Sequence, residues 1–164
     1  MFFVRTAAGS DAERIRDLLV ESWRHTYVPM HGAERIEPVI ARWHTLEAVK
    51  ANMAARHGEM LVADNGREIG GMAFAMTSDD RKSVLLKQLY VHPQHLRKGI
   101  GRDLFAEIES CFPGAEELQL EVDKKNGAAV AFYARHGMEI SGEVGCCGGD
   151  ADIPAFIMTK QLAA

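Results

Sequence analysis

The segment Val91-His92-Pro93-Gln94-His95-Leu96-Arg97-Lys98-Gly99-Ile100-Gly101-Arg102 joins a buried apolar run to the start of an amphipathic stretch. A turn of this composition points several unpaired backbone N–H groups in one direction. Gly99 and Gly101 let backbone approach a ligand with no Cβ in the way, a helix N-terminus adds partial positive charge, and Arg97, Lys98 and Arg102 add full charges. Such a loop suits a diphosphate. It is neither of two other glycine-rich phosphate loops: Leu104 stands where a dinucleotide fingerprint needs its third glycine, and Arg102-Asp103 stands where a P-loop needs Lys-Ser or Lys-Thr. For this loop alone, a helix-initiating turn with exposed basic residues is an equal reading.

A second constellation follows: Glu121-Val122-Asp123-Lys124-Lys125-Asn126, then Ala129, then Phe132-Tyr133-Ala134-Arg135-His136-Gly137-Met138. With both segments in view, the sequence resembles the GCN5-related N-acetyltransferase (GNAT) family. Residues 96–101 match that family's acyl-CoA diphosphate motif, Q/R-x-x-G-x-G/A, with one departure, Leu96 in place of Gln or Arg. Asn126, Phe132-Tyr133 and His136-Gly137-Met138 match its second motif. The order of elements extends the resemblance over essentially the whole chain.

The resemblance implies acetyl-CoA as cosubstrate and a gap between the fourth and fifth strands in which its pantetheine arm lies like an extra strand. Backbone groups of Leu89, Tyr90 and Val91 would pair with that arm. The amides of Arg97, Lys98, Gly99, Ile100, Gly101 and Arg102 would hold the diphosphate despite Leu96, and Asn126 would contact the cofactor further along. It also implies acetyl transfer to a primary amine of a small molecule or peptide, by direct attack in a ternary complex. Cys111 falls at the far end of a helix and Cys146-Cys147 on a distal loop, so neither motif supplies an acyl-enzyme nucleophile.

That chemistry sets requirements. A lysine-like amine of pKa near 10.4 costs roughly 4.6 kcal/mol to deprotonate at pH 7, an α-amine near 7.8 only about 1. The acceptor therefore needs a base or water relay, the thioester oxygen an N–H donor, and the departing thiolate a proton. By family match, Tyr133 is the proton donor; on spacing alone it would be a tyrosine packed beside Phe132. Glu121 is the candidate base. Ribosomal-protein N-terminal acetyltransferases, within this family, carry a catalytic Glu at the same spacing in a similar Leu-Glu-Val context. A solvated strand face explains Glu121 equally, and Asp123 or a water relay are the alternatives.

His92 and His95 bracket a proline, and Cys146-Cys147 lie near Asp150 and Asp152, but neither set has a zinc-ligand spacing, so no metal is expected. Trp23, Tyr27, Trp43, Met72 and Met76 read as core or pocket wall. Asp79-Asp80, Asp150 and Asp152 are acidic loop residues that would either attract a cationic amine or simply be solvated. Two other readings compete with transfer: a catalytically silent acyl-CoA sensor and a general nucleotide-diphosphate binder.

The elements that must position these residues are legible from periodicity. Ser10 and Glu13 have capping-box spacing, and Ile15, Leu18, Leu19 and Ser22-Trp23 recur at helical intervals, predicting a helix over 11–24 after a short strand, Phe2 to Arg5. His25 to His44, with Pro29, Gly32 and Pro38, reads as an irregular or broken helical connection. Leu46, Val49 and Met53 mark a second helix. Met60 to Ala63, Asn65-Gly66 and Ile69 to Met76 predict a hairpin with a two-residue turn. Then follow a strand over 84–91, a helix over 101–111, a strand over 118–123, a helix over 128–136, and closing strands over 138–144 and 155–162.

At 164 residues, 47% hydrophobic and 26% charged, the chain is sized for one domain, 1–164, with a core that needs no disulfide or metal. A net charge of −4 argues against a nucleic-acid partner. Three cysteines suggest a reducing compartment, and the lack of a signal peptide or long apolar run suggests a cytoplasmic protein with no membrane partner. The expected fold is mixed α/β (α+β): a central, mostly antiparallel sheet with one splayed parallel strand pair and helices on both faces. Homodimers are common in the family, and nothing in the sequence specifies one.

Overall fold

The computed structural model describes residues 1–145 and 153–162. Cys146-Cys147, Asp150 and Asp152 lie outside the described residues. Seven strands form one sheet, β1 (Phe3–Thr6), β2 (Gly58–Asp64), β3 (Ile69–Thr77), β4 (Ser83–Val91), β5 (Glu117–Asp123), β6 (Glu139–Val144) and β7 (Ala155–Gln161). Their spatial order is β1-β2-β3-β4-β5-β7-β6. Every neighbouring pair is antiparallel except β4–β5. The helices are α1 (Ala12–His31), α2 (Ala33–Trp43), α3 (Leu46–Met53), α4 (Ile100–Cys111) and α5 (Gly127–Arg135).

The strand period of two sorts side chains into two cores. Met60, Val62, Met72 and Phe74 point to one face, under Ile15, Leu18 and Leu19 of α1 and Val49 of α3. Leu61, Ala63, Ala73 and Ala75 point to the other, under Ile100, Leu104, Phe105 and Ile108 of α4. β2 and β3 are thus covered on both faces, which is why their sequences are apolar almost throughout. Each fully buried Leu, Ile or Phe contributes about 1.5–3 kcal/mol.

Several boundaries differ from the sequence reading. The first helix runs on to His31, past Pro29, and the following connection is itself a helix, α2, with Pro38 inside it. Both prolines, and the residues four positions before them, His25 and Glu34, are exposed, so the carbonyls deprived of a partner face water. The break between the helices falls at Gly32, whose φ of 85° suits glycine. The Ser10–Glu13 capping box does not form. Instead the buried Asp11 carboxylate accepts the Ala8 N–H at 2.7 Å and pairs with Arg5 at 2.8 Å and Arg14 at 3.0 Å. The hairpin turn has four residues, 65–68, not two, because the Asn65 side chain accepts the N–H groups of Arg67 and Glu68.

The parallel pair is short. Only Ser83–Leu85 pairs with Glu117–Gln119. Immediately beyond, Phe74 faces Gln88 while Ala75 faces Leu86, leaving Lys87 as the extra residue of a β-bulge. A bulge bends its strand and increases the twist, and β4 turns away from β5 at this point.

Candidate active site

The splay between β4 and β5 opens onto two cavities. The larger, about 740 Å³, runs between α1, the outer half of β4 and α5. It is lined by Leu89, Tyr90, Val91, Leu96, Arg97, Gly101, Asn126 and Tyr133. The smaller, about 200 Å³, lies beneath α1 and α2, against Trp23, Tyr27, Trp43, His44 and Tyr90. Both are lined by Tyr27, Leu86, Lys87, Gln88, Tyr90 and Glu121. The two cavities therefore meet at the splay.

At the mouth of the larger cavity, Arg97 (φ 64°) and Gly99 (φ 83°) adopt left-handed backbone. The first helical bond of α4, Asp103 N–H to the Gly99 carbonyl at 3.0 Å, leaves the N–H groups of Arg97 to Arg102 without a carbonyl partner among the described residues. Such a nest at a helix N-terminus binds anions. The loop is anchored on both sides: His92 pairs with Glu21 of α1, and His95 lies 2.8 Å from Glu68 in the hairpin turn. α4 reaches close to the sheet because Gly71 has no side chain; a Cβ there would stand 2.7 Å from Ile100 Cγ2. The Ile100 side chain is consequently in the core, so only its backbone is available to a ligand. Lys98 and Arg102 point outward, to His95 and Asp103, and line neither cavity. Leu96 is 46% exposed on the lip of the groove.

Along the inner wall, the Val91 carbonyl accepts the Ser22 hydroxyl at 3.0 Å, tying α1 to the end of β4. Asn126 caps α5, its side-chain oxygen accepting the Ala129 N–H at 3.2 Å, which leaves its NH₂ group to face the groove. Tyr133 packs between Phe105 and Phe132, and burial pushes its phenol well above the ordinary tyrosine value. Its hydroxyl has no partner among the described residues.

The two candidate carboxylates differ sharply. Glu121 is exposed and has no hydrogen bond or ion pair with any described residue. Asp123 is 3% exposed; one oxygen lies 2.5 Å from His31 Nε2 and the other accepts the Lys125 N–H at 2.9 Å. Asp123 is thereby a clasp between the end of α1 and the β5–α5 turn, and Glu121 is the carboxylate open to both cavities. His31, Tyr27, His25 and Thr26 enter the site region through the extended α1. Tyr27 was read from the sequence as core or pocket wall, and its i, i+4 spacing to Trp23 and His31 is the signal that could have found His31. Burial raises the Cys111 thiol to about 11, the opposite of what a nucleophile requires. Asp80 is bonded within the β3–β4 turn, and neither it nor Asp79 lines either of these two cavities.

A splayed parallel pair, an amide nest beyond it and a capped helix carrying a tyrosine unpartnered among the described residues are the arrangement that a CoA-dependent acyltransferase requires. The chain belongs to the GNAT family: residues 56–140 match its acetyltransferase (GNAT) domain. It is 26% identical to the spermidine N(1)-acetyltransferase of Thermoplasma acidophilum, over 96% of each chain. Identity to the peptidyl-lysine N-acetyltransferase YiaC of Escherichia coli is 27%, over 95% of this chain and 94% of that one. The fold superposes on the PaiA N-acetyltransferase of Thermoplasma acidophilum in complex with coenzyme A at a TM-score of 0.84, with 24% identity, over 98% and 99% of the two chains.

Proposed function

We propose that this chain is an acetyl-CoA-dependent N-acetyltransferase acting on a primary amine by direct attack, with Glu121 as base and Tyr133 as acid. The observation that carries the reading is the meeting of the two cavities at Glu121 and Tyr90, through the gap between β4 and β5. Relatives named for two different acceptors, spermidine and peptidyl-lysine, have a primary amine in common.

The residues fit the cosubstrate. The Arg97–Arg102 amides and the Arg97 guanidinium suit the diphosphate, the free edge of β4 over Leu89–Val91 suits the pantetheine amides, and Asn126 faces the same groove. Acetyl-CoA, when bound, supplies the activated acyl carbon. Glu121 accepts a proton from the incoming ammonium, directly or through water, which supplies the neutral amine that attacks. N–H groups along the opened edge of β4 stabilise negative charge on the thioester oxygen. Tyr133, kept protonated by burial, gives its proton to the departing sulfur. Among the described residues no helix is long and apolar enough to cross a membrane. Dependence on acetyl-CoA, a cosubstrate abundant in the cytosol, supports a cytoplasmic enzyme.

Calorimetry with acetyl-CoA, followed by free-thiol release with added amines, tests the proposal. Micromolar binding with amine-dependent release is expected; absence of binding would sink the cofactor assignment, and binding without release from any amine would sink the transfer.

A further inference from the structure

The smaller cavity is walled by contiguous rings. Trp23 lies 4.5 Å from Tyr27, 5.9 Å from Trp43 and 6.4 Å from Tyr90, centroid to centroid. Its volume of about 200 Å³ suits the body of a compact ligand.

Among the described residues, charge in this cavity is scarce. Glu121 is the one acidic lining residue among the described residues whose carboxylate is free, since both oxygens of Asp123 are taken by His31 and the Lys125 N–H. Lys87, on the bulge, lines the cavity with a cation. His44 adds none: it is 5% exposed, and burial lowers its imidazole to about 4, so it is neutral at physiological pH. Aromatic faces and one carboxylate attract a single ammonium. A second ammonium finds no second free carboxylate there among the described residues, and the unpartnered Trp23 Nε1, His44 ring nitrogens and Gln88 Oε1 that line the cavity offer isolated neutral hydrogen bonds, too few to replace the water around a ring of hydroxyls.

Building on the acetyl-transfer reading, we propose that the acceptor is a compact primary monoamine with an apolar or aromatic body, an arylalkylamine or short alkylamine. Its amine sits at Glu121 in the splay, and its body lies against Trp23, Tyr27, Trp43 and Tyr90. The same apolar walls disfavour the charged form of the amine, which moves it toward the neutral state that attacks. In the transfer the amine nitrogen bonds to the acetyl carbon as the carbon–sulfur bond breaks. The ammonium first gives one proton to Glu121, which passes it to solvent; as the C–S bond breaks Tyr133 gives its proton to the sulfur, and the second proton that the nitrogen sheds on becoming an amide returns, directly or through water, to the Tyr133 oxygen.

Thiol release at saturating acetyl-CoA, compared for 2-phenylethylamine, hexylamine, spermidine, kanamycin and a lysine-containing peptide, is the test. The expected result is a kcat/KM for 2-phenylethylamine or hexylamine at least tenfold above those of the other three. In Trp43→Ala, KM for 2-phenylethylamine should rise about tenfold while calorimetric affinity for acetyl-CoA stays within twofold, and Trp43→Phe should recover most of the loss. A higher kcat/KM for spermidine, kanamycin or the peptide overturns the monoamine assignment and leaves acetyl transfer standing. Acetyl-CoA binding with no release from any amine overturns the transfer reading and the assignment with it.

Discussion

Glu121 and Asp123 lie two positions apart on β5, and burial alone divides their roles. The open carboxylate can take a proton; the enclosed one holds two elements together. Glu121→Gln should lower kcat/KM at pH 7 by about 10²-fold, in the ordinary range for loss of a general base. The deficit should shrink as pH rises toward the amine's own pKa of about 10, where free base forms unaided. A pH–rate profile of both proteins checks this, and a constant deficit across the range would assign Glu121 a binding role instead. Tyr133→Phe should cost about 10²-fold in kcat with acetyl-CoA affinity unchanged, because the hydroxyl is spent on the leaving group. Comparing turnover with calorimetric affinity separates the two effects.

Two joints between elements hold the cleft in shape. His31 ends α1 and Asp123 ends β5, and their 2.5 Å contact spans the side of the sheet where β4 and β5 part. In His31→Ala the buried carboxylate loses its partner, for an expected cost on the order of 3 kcal/mol, read as a fall in the denaturation midpoint. His31→Asn, which retains an N–H donor, should recover part of it. The second joint is Gly71 under α4. In Gly71→Ala the new methyl would stand 2.7 Å from Ile100 and 3.1 Å from Leu104, so α4 must shift. Denaturation should show about 1–3 kcal/mol lost, and calorimetry a weaker grip on acetyl-CoA, because the amide nest moves with the helix.

Over the whole molecule, His44 gives stability a pH dependence. Burial lowers its pKa to about 4, while in the unfolded chain it returns to about 6.5, so the unfolded state binds more protons between these values. Its contribution is complete above about pH 6.5 and is lost as pH falls toward 4, by up to about 3 kcal/mol. Chemical denaturation across that window should show the slope, and His44→Leu should flatten it.

Much of the fold and part of the site were legible in the sequence because they depend on near neighbours. Near-continuous apolar runs make β2 and β3, and Gly99 and Gly101 open the turn before α4. The reach of α1 past Pro29 was not legible, since a proline is tolerated or not according to whether the carbonyl it strands meets water. Nor was the pairing of His31 with Asp123, which are 92 positions apart. The sequence by itself determined the elements, their order and the chemical groups available, through propensity, periodicity and backbone conformation. Only the tertiary structure decided which carboxylate stays open, where the sheet splits and how small and apolar the second cavity is. Those properties arise from burial and from the bulge at Lys87, and both exist only once distant segments have packed.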